Sequence, residues 1–186
     1  MAATILAGRY AKALFELSLE MNLLDEIKED MYTISRLCHE SKDFRLFLKS
    51  PVIHAARKKA ILKKMLEKHL NELSFRYVIL ITKKRREMYL EDIAAAFITL
   101  YKKFKDILTV TLKTAYNPDE DIRKKIIDLL HDQTGSNIEL LDEVKKELIG
   151  GFILTYDNKQ YDASISNQLE KLRRGAARIN LYERKL

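Results

Sequence analysis

Four histidines stand at positions 39, 54, 69 and 131. Two imidazoles four residues apart on a helix, with a glutamate between them, would hold a metal ion and place a base beside it. These four are scattered, and no two share such a spacing, so each reads as a structural or solvated side chain. Cys38 is the only cysteine, which rules out an intrachain disulfide. Its neighbour His39 would point in another direction on a helix, so the two cannot act as nucleophile and base. Gly150-Gly151 lacks the Lys and Ser/Thr of a phosphate loop. The pair reads instead as backbone that must bend or approach closely before a strand. Asp25, Glu26, Glu29 and Asp30 read as a solvated helix face, and no serine sits in a nucleophile elbow. Lys83-Lys84-Arg85-Arg86 could contact phosphate, but no aromatic lies within the run. It falls at a predicted helix C-terminus, where the macrodipole favours cations without any ligand. No catalytic residue, cofactor or metal is expected.

A chain without convergent chemistry is read next for what it can hold. Its 186 residues suffice for one large domain or two small ones. At 47% apolar it can bury a core, and at 33% charged it is very soluble. Only 5 Gly and 2 Pro point to a mostly helical chain. Apolar runs such as Tyr77 to Ile81 are far below the ~20 residues of a membrane span, so no transmembrane segment is expected. The N-terminus lacks a charged start and a long apolar stretch, and reads as cytosolic-side. A net charge of +7 suits nucleic acid, an anionic membrane surface or an acidic protein.

Apolar periodicity predicts helices over 3–21, 23–40, a short third ending before Pro51 and capped by Asp43, then 54–69, 72–85 and 88–105. In the first, Leu6, Tyr10, Ala13, Leu17 and Met21 form one stripe and Ala3, Ala7, Ala11 and Leu14 another. Together they cover roughly 160° of the helix, wider than the ~100° that faces one core. In the fourth, Ile61, Leu62, Met65 and Leu66 oppose Lys58, Lys59, Lys63 and Lys64. The fifth is apolar all round through Tyr77-Val78-Ile79-Leu80-Ile81, so it is buried on several sides or docks a partner. Six helices with short loops make a compact bundle.

The pattern changes near residue 105. Ile107 to Thr114 reads as a strand, Pro118 opens a helix through about Gln133, and Asn137 to Leu141 is a second strand. Phe152 to Tyr156 and Gln160 to Ala163 pair as a hairpin, and Asp162 or Ser164 caps a last helix. The expected fold class is mainly α and α+β overall: a six-helix bundle over 1–105, then a small sheet-plus-helix domain over 106–186. In the last helix Ile165, Leu169, Leu172, Ala176 and Ile179 follow an a/d spacing. The seam either packs on its own sheet or docks a partner's long helix.

Three segments, in this order, carry a resemblance. They are Arg9-Tyr10-Ala11-Lys12-Ala13-Leu14-Phe15, Phe47-Leu48-Lys49-Ser50-Pro51-Val52-Ile53, and Gly150-Gly151-Phe152 with Asp162-Ala-Ser-Ile and Leu169-Glu-Lys-Leu172. The chain resembles, over nearly its whole length, the delta subunit of bacterial F-type ATP synthase, the counterpart of the mitochondrial oligomycin-sensitivity-conferring protein. The resemblance implies a non-catalytic stator subunit, peripheral on the cytoplasmic face of the bacterial cell membrane and held there only through the complex. It implies that the N-terminal domain binds the catalytic head (alpha and beta subunits), with an alpha N-terminal helix in a groove between the first and fifth helices. Tyr10, Ala13, Leu14 and Leu17, with Val78 and Leu80 or Ile81, are the groove candidates. It implies that the C-terminal domain holds the b subunits of the peripheral stalk, with Phe152, Leu154, Ile165, Leu169 and Leu172 as contact candidates. Where the family often has Gly before Arg after the fifth helix, this chain has Lys84-Arg85-Arg86. Rival readings are a basic helical nucleic-acid-binding protein, a generic helix-docking adaptor and, third, an enzyme with an unrecognised site.

Overall fold

The computed structural model describes residues 2–156, 159–171 and 173. The chain divides into two compact units, Met1–Phe104 and Lys105–Leu186. The first is helical: α1 (Ala2–Glu20), α2 (Leu24–Glu40), α3 (Lys42–Lys49), α4 (Ala55–Leu66), α5 (Glu72–Lys83) and α6 (Leu90–Phe104), with a 3-10 turn at Glu87–Tyr89. The second holds β1 (Ile107–Thr114), α7 (Glu120–Thr134), β2 (Asn137–Val144), β3 (Phe152–Tyr156) and β4 (Lys159–Asp162). A further helix, α8, occupies 165–171. The fold is mainly α with α+β character.

Local chemistry sets the boundaries. Asn22, at φ 55, takes the left-handed conformation that ends α1. The cap of α3 is Ser41, whose Oγ accepts from Phe44 N at 3.1 Å, and Asp43 lies inside the first turn. The cap expected at Asp43 is thus corrected to a position two residues earlier. Asn71 caps α5, its Oδ1 accepting from Leu73 N at 3.0 Å. Gly135, at φ 73, closes α7 by donating its N–H to His131 O. Asp162 Oδ1 accepts from both the N–H and the hydroxyl of Ser164, and Ser164 Oγ accepts from Asn167 N. Both expected caps of the last helix thus act together, and the Ser164 hydrogen bonds hold the Asp162 carboxyl below the usual carboxylate range.

In the first unit α6 is the central helix, packed against α1 and α2, while α5 packs mainly on α4. Ile27, Met31, Ile34, Leu62, Leu90, Ile93 and Phe97 are sealed from solvent. Phe15 meets Phe97 edge-on at 5.8 Å. Two expectations about charge fail here. Lys58, expected on the solvated side of α4, is 3% exposed and donates to Leu48 O at 2.7 Å and Glu87 Oε1 at 2.6 Å. A long stem lets lysine cross an apolar layer to reach a partner. The acids of α2 are also more than a wet face. Asp30 is buried and accepts from Asn71 N at 2.9 Å, Glu26 accepts from Asn71 Nδ2, and Asp25 accepts from the Tyr101 hydroxyl.

In the second unit the sheet runs β2-β1-β3-β4. β1 and β2 are parallel, with Val110 opposite Leu140, and α7 is the crossover between them. β1–β3 and β3–β4 are antiparallel, with Leu112 opposite Leu154 and Leu154 opposite Tyr161. β2 runs three residues past the expected end, because its pairing with β1 continues to Val144. Val110, Leu112, Leu154 and Leu130 of α7 form the core.

Candidate docking surfaces

Each unit exposes an apolar surface that could take a partner. On α1, Ala7, Ala11, Leu14, Phe15 and Ser18 are buried. The Ser18 hydroxyl is satisfied locally, donating to Phe15 O at 2.7 Å. The opposite side keeps Ile5, Ala13, Leu17 and Met21 exposed and Tyr10 half-buried. Tyr10, Ala13, Leu17 and Met21 recur at helical spacing, so they form one stripe outside the core. On α5, Ser74, Tyr77, Val78, Ile81 and Thr82 are buried, whereas Leu80 is 48% exposed. Tyr10 stands near Tyr77 of α5 and the turn that follows that helix. The Arg86 guanidinium lies 5.5 Å from the Tyr10 ring centroid. Burial pushes the Tyr77 phenol to a higher pKa, and the Tyr10 phenol beside it adds to the shift. The Tyr77 hydroxyl is buried and makes no hydrogen bond among the described residues.

Four of the seven groove candidates therefore reach the surface: Tyr10, Ala13, Leu17 and Leu80. Leu14, Val78 and Ile81 are corrected to core positions, at 1%, 0% and 0% exposure. The reason is geometric: Leu14 lies on the alanine stripe that packs against α6, and Val78 and Ile81 share the inner face of α5 with Ser74 and Tyr77. Ile5 and Met21, exposed at 67% and 51%, extend the stripe. The over-wide arc signalled this second face, but the two stripes could not be sorted by apolarity alone.

In the second unit α7 covers the sheet incompletely. A cleft of about 440 Å³ opens between them, lined by Ile122, Ile126 and Leu129 of α7 and by Phe152, Tyr156 and Tyr161 of the hairpin. The hollow beside the β1–α7 connection shares Ile122, Ile126 and Phe152 with it. Phe152, half-buried, forms one wall with its ring 6.2 Å from that of Tyr161. Leu154 is 5% exposed and belongs to the core beneath, a correction to its expected contact role. Ile165 and Leu169 are exposed on α8, and Leu172 lies outside the described residues. Sequence reading missed Ile122, Leu129 and Tyr161, which stay 48%, 54% and 61% exposed. Ile122, Ile126 and Leu129 carry a helical spacing that would have found the first two. A strand of four residues, in which Tyr161 sits, is too short to show alternation.

The chemistry is that of binding. Among the described residues no three His, Cys, Asp or Glu side chains gather where a metal ion could sit. Burial raises the Cys38 thiol to about 11, which keeps it protonated and inert at neutral pH. No helix among the described residues is long and apolar enough to cross a membrane.

The family model for the ATP synthase delta (OSCP) subunit matches residues 6–175. The ATP synthase subunit delta of Carboxydothermus hydrogenoformans is 33% identical over 174 residues, 94% of this chain and 98% of that protein. The chain belongs to the ATP synthase delta (OSCP) subunit family. The chloroplastic ATP synthase subunit delta of Trieres chinensis is 30% identical over 171 residues, 91% of each chain. A chain in the cryo-EM structure of the Toxoplasma gondii mitochondrial ATP synthase hexamer shares the fold, with a TM-score of 0.69 at 23% identity, covering 92% of this chain and 97% of that one. As a delta-type subunit, the protein is a non-catalytic, peripheral stator component of F-type ATP synthase.

Proposed function

We propose that the protein ties the catalytic head to the peripheral stalk through one apolar grip on each unit. Unit 1–104 docks the N-terminal helix of an alpha subunit along Tyr10, Ala13, Leu17 and Leu80, beside the beta subunits of the head. Unit 105–186 holds the C-terminal ends of the b subunits at the α7–hairpin cleft and the exposed seam of Ile165 and Leu169. The subunit then sits on the cytoplasmic face of the cell membrane through the complex, not by its own insertion.

The observation that carries the reading is the second face of α1. A helix already buried along Ala7, Ala11, Leu14 and Ser18 has no core-building use for a further apolar stripe at Tyr10, Ala13, Leu17 and Met21. Such a stripe is what a helix-in-groove partner covers. Burial is worth roughly 25 cal/mol per Å² of apolar surface before association costs are subtracted, so a few anchors carry most of the affinity. The mechanical need is the same. Torque on the head must be resisted, so the link needs two durable interfaces and no reactive group.

Calorimetry with a synthetic alpha N-terminal peptide tests the first grip. Ala13→Asp and Leu80→Asp each place an unpaired charge on the surface to be covered, so affinity falls more than about tenfold. Both positions are exposed, so the circular dichroism stays unchanged. Full affinity in both variants removes the stripe from the interface. Binding to nucleic acid that falls steeply with salt would favour the basic-patch reading instead.

A further inference from the structure

The basic run Lys83-Lys84-Arg85-Arg86 closes α5, and its last member is spent on no partner inside the fold. Two hydrogen bonds fix the turn. Arg86 N donates to Ile81 O and Arg85 N to Thr82 O, both at 3.0 Å, while Arg85 holds a left-handed φ of 56. In this kind of helix ending the residue after the left-handed one commonly makes an apolar contact with the last turn. Here that residue is Arg86. Its side chain is half-buried, with the guanidinium 5.5 Å from the Tyr10 ring centroid. A cation over a ring face uses no oxygen acceptor. Among the described residues the Arg86 side chain makes no hydrogen bond or ion pair. Lys58, Lys63 and Arg76, on α4 and α5, each stand against a carboxylate.

We propose that Arg86 sets the specificity of the first grip: the helix it admits carries an aspartate or glutamate beside its apolar stripe, and that carboxylate pairs with the Arg86 guanidinium. The inference rests on the reading that a helix docks along Tyr10, Ala13, Leu17 and Leu80. A helix seated on Tyr10 comes against Arg86 as well, because the guanidinium lies over that ring. Docking then strips water from its five N–H donors, and a cation left without an acceptor in an apolar interface is costly. A carboxylate meets two of those donors at once. A backbone carbonyl would satisfy a donor but not the charge, and the adjoining Lys83, Lys84 and Arg85 add charge of the same sign that only an anion offsets. The apolar stripe supplies most of the affinity, and the ion pair rejects apolar helices that lack the acid.

The test is calorimetry of the full chain with a synthetic alpha N-terminal peptide, used as parent and as single variants in which each aspartate or glutamate becomes its amide. One amide variant binds about tenfold more weakly than the parent peptide, the weight of one charge-assisted hydrogen bond. Arg86→Met keeps an apolar stem beside Tyr10 and removes the charge, so it loses about tenfold for the parent peptide. It binds that one amide variant no more weakly still, because the two losses belong to one contact and do not add. Circular dichroism shows the fold retained; should Arg86→Met not fold, Arg86→Gln takes its place in the same cycle. An Arg86 that only shapes the turn would weaken every peptide by one common factor, and such additive losses overturn the proposal. Parent-like binding by Arg86→Met overturns it too. Binding of the parent peptide with no carboxylate coupled to Arg86 overturns this inference and leaves the grip standing, whereas absence of binding to the parent chain overturns both.

Discussion

Asp30 shows how one residue can tie two helices and leave a pH signature. Its carboxylate, on α2, accepts from Asn71 N at the start of α5. Burial raises its pKa above 3.8 more than the Asn71 hydrogen bond and the nearby Ser74 hydroxyl lower it, and Glu26 and Glu29 add to the rise. The folded chain therefore holds this proton to a higher pH than the unfolded chain. Between the two pKa values folding takes up a proton, so stability falls as pH rises through that window. Asp30→Asn keeps an acceptor for Asn71 N without a charge to desolvate. It should match or exceed the parent in denaturant midpoint at pH 7 and flatten the slope on the upper side of the usual carboxylate range. Asp30→Ala strands a buried donor and should cost about 1–3 kcal/mol. If the two variants unfold alike, the hydrogen bond does not anchor α5. In the sequence these acids look uniformly solvated, because a charged run on one helix gives no sign of which member an incoming helix N-terminus will cover. Lys58 is hidden for the same reason: its partner Glu87 lies 29 residues away.

At the scale of elements, what is legible is whatever a single period or a single cap encodes. The buried pair Val110 and Leu112 is written in the alternation of β1, and α7 in its acidic first turn and closing glycine. Choices made by packing are not legible, such as which stripe of α1 turns inward. The Gly150-Gly151 pair lies between these cases: its flexibility is readable, its two different jobs are not. Gly151 holds φ 77, and a Cβ there would stand 2.3 Å from Ala163 O. At Gly150 the obstacle is the Ile165 Cδ1 at 2.7 Å, the free end of a side chain that can turn away. Gly151→Ala should therefore lose at least about 1–2 kcal/mol from backbone conformation alone, with the backbone clash adding to it. Gly150→Ala should lose less, by shifting Ile165. Guanidinium unfolding of the full chain, monitored on amide signals of β1 and β3, compares them. Equal losses would mean that α8 is not held against this turn by close backbone approach.

For the whole molecule, the two-grip reading demands that each unit keep its partner when the other fails. α8 is joined to the sheet by few devices: the Asp162–Ser164 cap, the hydrogen bond from Ile165 N to Gly150 O at 3.0 Å, and the Ile165 side chain against Gly150. The core of Val110, Leu112, Leu130 and Leu154 includes none of its residues. Ending the chain after residue 163 should thus leave both units folded while removing the exposed Ile165 and Leu169. Affinity for an alpha N-terminal peptide should stay within about twofold of the full chain, since nothing in unit 1–104 is touched. Affinity for a soluble peptide spanning the C-terminal end of the stalk's b protein should fall more than about tenfold, the loss expected when buried apolar anchors are removed. The seam's two readings part here. If stalk binding survives in a folded truncated chain, α8 serves its own sheet and the b subunits are held by the α7–hairpin cleft alone. Leu129→Asp and Tyr161→Asp would then abolish stalk binding. If the cleft variants and the truncation all bind normally, the second grip lies elsewhere and unit 105–186 is not the stalk's handle.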